Sequence, residues 1–490
     1  MTERSPVPDA GASVRWQSGG VNHLTGAAGQ TWWRDHVLWL VLTASTATRV
    51  GLALAFPGFV GGDDVEVLEE GFRRAFGLAF QPWSIRNLLV PDLLVAPLLR
   101  LASWLGVQET GALIFVATLP FIALASLNVV LVYTLAARWS PDRAVARLAA
   151  ALFALHWLPL GYGSTVYPRT LATTCVLLAC LAGVRKPVRS AAALAAGGLL
   201  AVAFAERYSE GVLLAPLLLW CMSGSARAAR ARAAGALIGG FVVGAAVTVG
   251  VVDAVTWGRP FASLQAFAQL TLVERLSSSR IPIQPLLFYV QRLLFWVPAT
   301  LLPALVAAAR RKGAGRLWAL LLLPIGLLSL VHHKELRYLQ CTIPALALLG
   351  ALGFRELAAR WGRVAAAALV VLTLVWQASG VSFLARNSLA AVAAAKAMRA
   401  DAAITVVALS QAWAYGDRLY LGNRVEVRDL PTPPGAQELE RAAAGADRVA
   451  LYRNDLTGDP ALATVLTRHG FTRNATFERG ASKAVVVFAR

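Results

Sequence analysis

The chain is dominated by apolar runs as long as a bilayer crossing, and every second turn between them is basic. About eleven such runs of roughly 15–25 residues occur, over 37–57, 111–137, 144–161, 168–184, 189–206, 208–222, 233–255, 286–309, 316–331, 338–353 and 362–383. Backbone in hydrocarbon must satisfy its own hydrogen bonds, so runs of this length fold as helices. With 57% hydrophobic and 15% charged residues and a mean hydropathy of +0.59, the composition excludes an ordinary soluble enzyme, disorder and a disulfide scaffold. The expected fold class is a polytopic α-helical membrane protein.

The formal net charge of +19 first suggests a nucleic-acid partner, but its placement gives a different reading. The cations fall in short turns: Arg138, Arg143 and Arg147; Arg185, Lys186 and Arg189; Arg227, Arg230 and Arg232; Arg310, Arg311, Lys312 and Arg316; Arg355, Arg360 and Arg363. That is the positive-inside pattern, so no nucleic-acid partner is expected. With the N-terminus inside, all these clusters face the cytoplasm, and residues 1–36 form a cytoplasmic segment. Arg49 interrupts the first apolar run, which argues for an uncleaved first helix. Cys175, Cys180, Cys221 and Cys341 lie inside apolar runs without CxxC spacing and read as small core residues.

In that frame residues 37–384 form the membrane domain. Residues 58–110 form a long outer loop with an amphipathic helix over 64–76 and a second, interfacial helix over 88–107. Residues 256–285 and 332–338 form further outer loops. Residues 385–490 have the composition of a soluble domain. Strands are expected over 406–409, 425–429, 448–452 and 484–488, with helices near 411–420, 436–445 and 460–469, giving a small two- or three-layer α/β domain on the outer side. Gly235 and Gly239 form a GxxxG that suits close helix packing.

Charges in or beside spans cost about 2.5–3.5 kcal/mol each on insertion scales, so they need a reason. Apart from the inner turns, most collect toward the outer face: Asp63, Asp64, Arg169, Glu206, Arg207, Glu210, Asp253, Arg292, Lys334, Glu335 and Arg337, with Arg49 deeper. Asp63 and Asp64 open the amphipathic helix. They suit either a first-turn acid complementing the helix dipole or a general base at the membrane surface. His333, Lys334 and Arg337, with Glu335 and Tyr338 between and beside them, fit either cations snorkelling at a helix end or, since they run against the positive-inside bias, a phosphate site, which is the favoured reading. Residues 206–210 read as a locally ion-paired turn, and His156 as a satisfied core residue.

These residues resemble the GT-C superfamily of membrane glycosyltransferases, and within it the mannosyltransferases that extend dolichol-linked oligosaccharides and GPI anchors. His333-Lys334-Glu335-Leu336-Arg337-Tyr338, followed by Pro344, is similar to that family's His-Lys-Glu-x-Arg-aromatic signature. Gly62-Asp63-Asp64 stands where the family has Pro-Asp-Glu. Trp83 and the run Ile85 to Pro91, containing Arg86, resemble its Arg-Ser-x-x-x-Pro run, and Asp253 with Trp257-Gly258-Arg259-Pro260 resembles an outer-loop motif. Asp64 for glutamate, Asn87 for serine and Leu336 for a polar residue are departures from the pattern.

The resemblance implies transfer of a sugar, mannose by analogy, from a polyprenyl-phosphate donor to a glycan or glycolipid acceptor, with inversion. Asp63 and Asp64 would be catalytic, with Asp63 the base. His333, Lys334 and Arg337, with Arg49 and Arg169, would hold the donor phosphate. Glu335, Arg86, Asp253 and Tyr338 would orient groups or touch substrate. Some such enzymes hold a divalent metal on their first-loop acids, but the cationic second cluster favours an enzyme without metal or other cofactor. The expected location is the inner membrane of a bacterial cell, with the site on the extracytoplasmic face. A lipid-linked glycan ligase is a competing reading, and a transporter or flippase another.

Overall fold

The computed structural model describes residues 32–56, 62–78, 82–184, 189–222, 226–274, 283–386, 388–411, 416–431, 433–478 and 484–490. Arg185 and Lys186 of the sequence reading lie outside the described residues. Helix α1 (His36–Ala55) starts where Asp35 caps it, accepting from the Val37 and Leu38 amides at 3.1 and 3.3 Å. The same carboxylate takes Tyr133 Oη at 2.7 Å and Arg147 Nε at 2.9 Å, which locks this end of α1 against the next helices.

Helix α2 (Gly62–Phe76) carries acids in its first turn and Arg73 and Arg74 in its last, matching the helix dipole at both ends. Its apolar face, Val65, Leu68 and Phe72, is buried. The helical stretch running from Pro91–Val95 into α3 (Ala96–Trp104) packs on α2 through Val95 and Leu99, and Gly71 permits the contact, since a Cβ there would lie 2.4 Å from Val95 Cγ1. Its other side presents Leu93, Leu101 and Trp104 outward. Helix α4 (Thr110–Trp139) follows, then α5 (Pro168–Val184), α6 (Ser190–Glu206), α7 (Arg227–Ala245), α8 (Ile343–Trp361) and α9 (Arg363–Ala385).

Among the described residues, five helical stretches are long and apolar enough to cross a membrane, and six shorter apolar helices accompany them. The chain is a multi-pass membrane protein. Two expected spans are broken. Residues 144–161 form helices Arg143–Ala154 and Trp157–Tyr162, interrupted where His156 Nδ1 accepts from the Leu158 amide at 3.2 Å. His156 Nε2 bonds the Trp296 carbonyl at 2.9 Å, so this histidine is a satisfied core group. Residues 286–309 form four short helical pieces, consistent with Pro298 and Pro303 lacking amide donors. Residues Ala262–Val273, expected in a loop, form an apolar helix instead.

The expected GxxxG contact is also made elsewhere. Nothing lies within 4 Å of a Cβ built on Gly235 or Gly239, whereas one on Gly240 would lie 2.0 Å from the Leu194 carbonyl oxygen of α6. Gly197 of α6 meets Leu237 of α7 equally closely. Small residues let these two backbones touch, but on the adjacent face of α7.

Beyond α9, helix α10 (Leu389–Ala400) leads into a five-stranded sheet of β1 (Val406–Ser410), β2 (Glu426–Leu430), β3 (Arg448–Tyr452), β4 (Thr472–Phe477) and β5 (Val485–Ala489). The order is β2-β1-β3-β5-β4, with β1 parallel to β2 and β3, and β5 antiparallel to β3 and β4. Four strands were expected. The fifth, β4, is a polar edge strand that alternates weakly and carries a register shift between Arg473 and Ala475. One sheet face (Ala408, Val449, Leu451) packs on helices α12 (Ala436–Ala443) and α13 (Pro460–Arg468). The other (Val407, Leu409, Ala450, Tyr452) packs on α10 and α11 (Asp417–Leu421), making three layers. That second core continues into Val65, Leu68, Phe72 and Leu99, so α2, α3 and the sheet share one hydrophobic core.

Two predictions follow from this packing. Gly240→Ala should separate α6 from α7 at a cost of about 1–3 kcal/mol, while Gly239→Ala, with open space at its Cβ, should hold or slightly raise the melting midpoint; thermal unfolding in detergent distinguishes them. Glu69 sits in the seam between α2 and the sheet at 1% exposure, with neither carboxylate oxygen hydrogen-bonded among the described residues. Burial pushes its carboxyl up to about 8 from 4.5, against the pull of Arg418. A pKa raised on folding gives stability that is present in full below the unfolded value and lost as pH climbs to the folded one. Glu69→Gln should therefore flatten the fall in melting temperature between pH 5 and about 8.5, and a pH series of melts on both proteins checks it.

Candidate active site

The first turn of α2 brings Asp63 against arginines from three other segments. Asp63 Oδ1 accepts from Arg86 Nη2 at 2.9 Å and lies 3.4 Å from Arg207 Nη2, while Oδ2 lies 3.7 Å from Arg337 Nε. Burial works to raise the Asp63 pKa, but Arg207, Arg337, Arg86 and Arg169 hold the carboxyl well below the usual range. Three of these guanidiniums are also held from another side. Arg86 Nε donates to Glu66 Oε2 at 2.5 Å, and its guanidinium lies over the Trp83 ring, 5.3 Å from the centroid. Arg337 pairs with Glu335, which also lies 3.4 Å from His333 Nε2. Arg169 pairs with Glu210, donates to Ser209 Oγ at 3.2 Å, and lies over the Tyr338 ring, 4.6 Å from the centroid. Four carboxylates, Asp63, Glu66, Glu210 and Glu335, thus face four guanidiniums, Arg86, Arg169, Arg207 and Arg337.

Among these eight groups the charges balance, but the hydrogen bonds do not. Arg207 Nε and Nη2 and Arg169 Nε are buried and make no hydrogen bond among the described residues. Buried donors with spare capacity beside aromatic walls suit a planar or tetrahedral oxyanion, which a guanidinium fork grips at two oxygens. A carboxylate among them can take a proton.

Of the residues singled out in the sequence, Asp63, Arg86, Arg169, Glu335, Arg337 and Tyr338 come together here, with His333 beside Glu335. Asp64 is fully buried next to Asp63, and its Oδ1 accepts from the Val65 amide at 3.2 Å. Three others lie apart from the cluster's pairings. Asp253 accepts from Ser263 through amide and hydroxyl at 2.9 and 2.6 Å and from Asn87 Nδ2 at 3.3 Å, so it fastens the loop at Asn87 to its own helix. Lys334 donates to the Gln284 carbonyl at 3.1 Å. Arg49 is fully buried in α1 with no hydrogen bond among the described residues, close against Gly163, where a Cβ would stand 3.0 Å from its Nε.

The segment 206–210 is corrected by the structure. Its charges do not pair with one another: Arg207 reaches Asp63 and Glu210 reaches Arg169. Their adjacency suggested a local turn, and only the tertiary fold shows the true partners. Glu66 was also missed, although its place one turn after Asp63, on the same face of an amphipathic helix, was a usable signal. Among the described residues no group of three or more His, Cys, Asp or Glu side chains is placed to hold a metal ion.

Solved structures share this architecture. Crystal structures of ArnT from Cupriavidus metallidurans, in the apo state and bound to undecaprenyl phosphate, superpose with TM-scores of 0.58 and 0.56 at 14% and 13% identity. The matches cover 92% of this chain in both cases, and 97% and 98% of the ArnT chains. Archaeoglobus fulgidus AglB, an oligosaccharyltransferase in complex with an inhibitory peptide and a dolichol-phosphate, superposes at 0.51 and 11% identity over 89% of this chain and 72% of its own. The fold is that of a GT-C membrane glycosyltransferase. Residues 75–405 match the Alg9-like mannosyltransferase family, and the chain belongs to that family. The matched stretch contains Arg86, Arg169, Arg207 and Arg337, and begins just after Asp63 and Asp64. No curated protein sequence matches the chain.

Arg86 bridges two carboxylates, so its loss would leave Asp63 and Glu66 short of a shared counter-ion. Arg86→Met should destabilise the protein by about 3 kcal/mol, at the low end for a broken buried pair because Glu66 keeps some solvent. Arg86→Lys should recover only part, lacking the fork. Denaturant or thermal midpoints of the two variants test this.

Proposed function

We propose that the protein transfers a mannosyl group from a polyprenyl-phosphate donor to a hydroxyl of a glycan or glycolipid acceptor, with inversion at the anomeric carbon. The observation that carries the reading is the buried guanidinium cluster closed around one carboxylate, Asp63. The acceptor oxygen forms its bond to the anomeric carbon while the bond from that carbon to the phosphate oxygen breaks. The acceptor proton passes to Asp63, and the electron pair of the broken bond leaves with the polyprenyl phosphate. Arg169 and Arg337 stabilise the charge that grows on the departing phosphate, where preorganised donors act most strongly. Base and leaving group on opposite faces of the sugar give inversion.

Two of the solved structures of this fold hold undecaprenyl phosphate and dolichol-phosphate, which supports a lipid-phosphate donor here. The alternation of basic turns supports a site on the extracytoplasmic face of the bacterial inner membrane. Guanidiniums in the place where a divalent cation would neutralise phosphate support a metal-independent reaction.

The test is release of free polyprenyl phosphate from a panel of polyprenyl-phosphate sugars, with purified protein, a membrane-lipid acceptor fraction and EDTA. Wild type should turn over the mannose donor, and Asp63→Asn should lose about 10²–10⁴-fold in rate, the range a positioned base supplies. Activity that vanishes with EDTA and returns with a divalent cation would overturn metal independence. No release from any donor by folded protein would move the assignment to ligase or transport chemistry.

A further inference from the structure

Asp63 stands among more guanidinium than one carboxylate can bind. Arg86 hydrogen-bonds it at 2.9 Å, whereas Arg207 at 3.4 Å and Arg337 at 3.7 Å are ion-paired at longer range. Arg86 is fixed from its other side by Glu66 and stays with Asp63. Among the described residues Arg207 pairs with no second carboxylate: its remaining hydrogen bond is Nη1 to the Glu206 carbonyl at 3.0 Å, and its Nε and Nη2 have none. A carboxylate so surrounded is a poor base, because effective general bases have proton affinities near the working pH. A phosphate, with more acceptor oxygens, competes well for guanidinium forks.

We propose that Arg207 is a further donor-phosphate residue, and that Arg207 and Arg337 exchange Asp63 for the donor's phosphate, so that donor binding unmasks the base. This inference rests on the proposed function. The acceptor hydroxyl is then activated only when the donor is in place, which protects against abortive proton transfer. Arg86 keeps the freed carboxylate oriented, and Glu335 keeps hold of Arg337 as it turns. The coupling is reciprocal. If phosphate raises the proton affinity of Asp63, then neutralising Asp63 must tighten phosphate binding by the same factor.

The experiment measures the dissociation constant of undecaprenyl phosphate for the full chain in nanodiscs. Wild type, Asp63→Asn, Asp63→Ala, Arg207→Gln and the Asp63→Asn/Arg207→Gln double variant are compared, each with a thermal melt. Asp63→Asn should bind on the order of ten-fold tighter than wild type, within the usual span of coupled sites, although it cannot transfer sugar. Arg207→Gln should bind on the order of ten-fold more weakly, and the double variant should lose most of the gain. Where the Asn variant melts abnormally, Asp63→Ala is read in its place, with the same tightening expected. Unchanged or weaker binding by folded Asp63 variants, or unchanged binding by Arg207→Gln, overturns the exchange while leaving the proposed function standing. Absence of binding by wild type itself overturns that function and this inference with it.

Discussion

The burial of Asp63 among converging guanidiniums is the constraint around which this end of the molecule is arranged. Taking ions out of water costs several kcal/mol each, and only close pairing offsets it. The eight charges come from five separate stretches: α2, the loop at Arg86, the start of α5, the turn after α6, and the segment leading into α8. Removing any member leaves a partner uncompensated, so the cluster pins those stretches to one another. Apolar residues of similar volume would hold the same elements together at no greater cost. Charges kept at such expense beside membrane spans point to a functional role, which is the basis of the proposed chemistry.

Helix α2 answers to two partners. Its first turn delivers Asp63 and Glu66 to the cluster, while Val65, Leu68 and Phe72 enter the core shared with α10, α11 and the sheet. The sheet therefore helps to set the position of the proposed base without touching it. Glu69 lies between the two functions, facing Arg418 and Asp429 of the C-terminal region as well as Glu66 of its own helix.

The sequence showed what is local. Apolar length and basic turns revealed the helical membrane architecture, and period-two patterning revealed four of the five strands. The contiguous run from His333 to Tyr338 was legible because its residues need no tertiary information to be seen together. Partners were not legible. Arg207 and Glu210 looked like neighbours in one turn, yet each is paired with a residue brought in by another part of the fold. Lys334 and Asp253 were visible as costly polar groups, but nothing in the sequence says that a backbone carbonyl and a serine satisfy them. The glycine pair was misread by one position on α7, because periodicity finds a small-residue face without saying which side of it meets α6.

The equality of charges in the cluster has a physical consequence. A surplus of buried cations would draw phosphate strongly but would raise the cost of folding in a low-dielectric site. Four carboxylates against four guanidiniums avoid that cost, and under the proposed exchange an anion binds by changing partners and not by adding to a pre-existing excess. Such a site discriminates by hydrogen-bond geometry: an incoming group must replace what Arg207 and Arg337 already have in Asp63. A diffuse or singly accepting anion cannot do so, whereas a phosphate spanning two forks can. The same balance links affinity to proton transfer, since whatever takes the arginines also returns the carboxylate to an ordinary base.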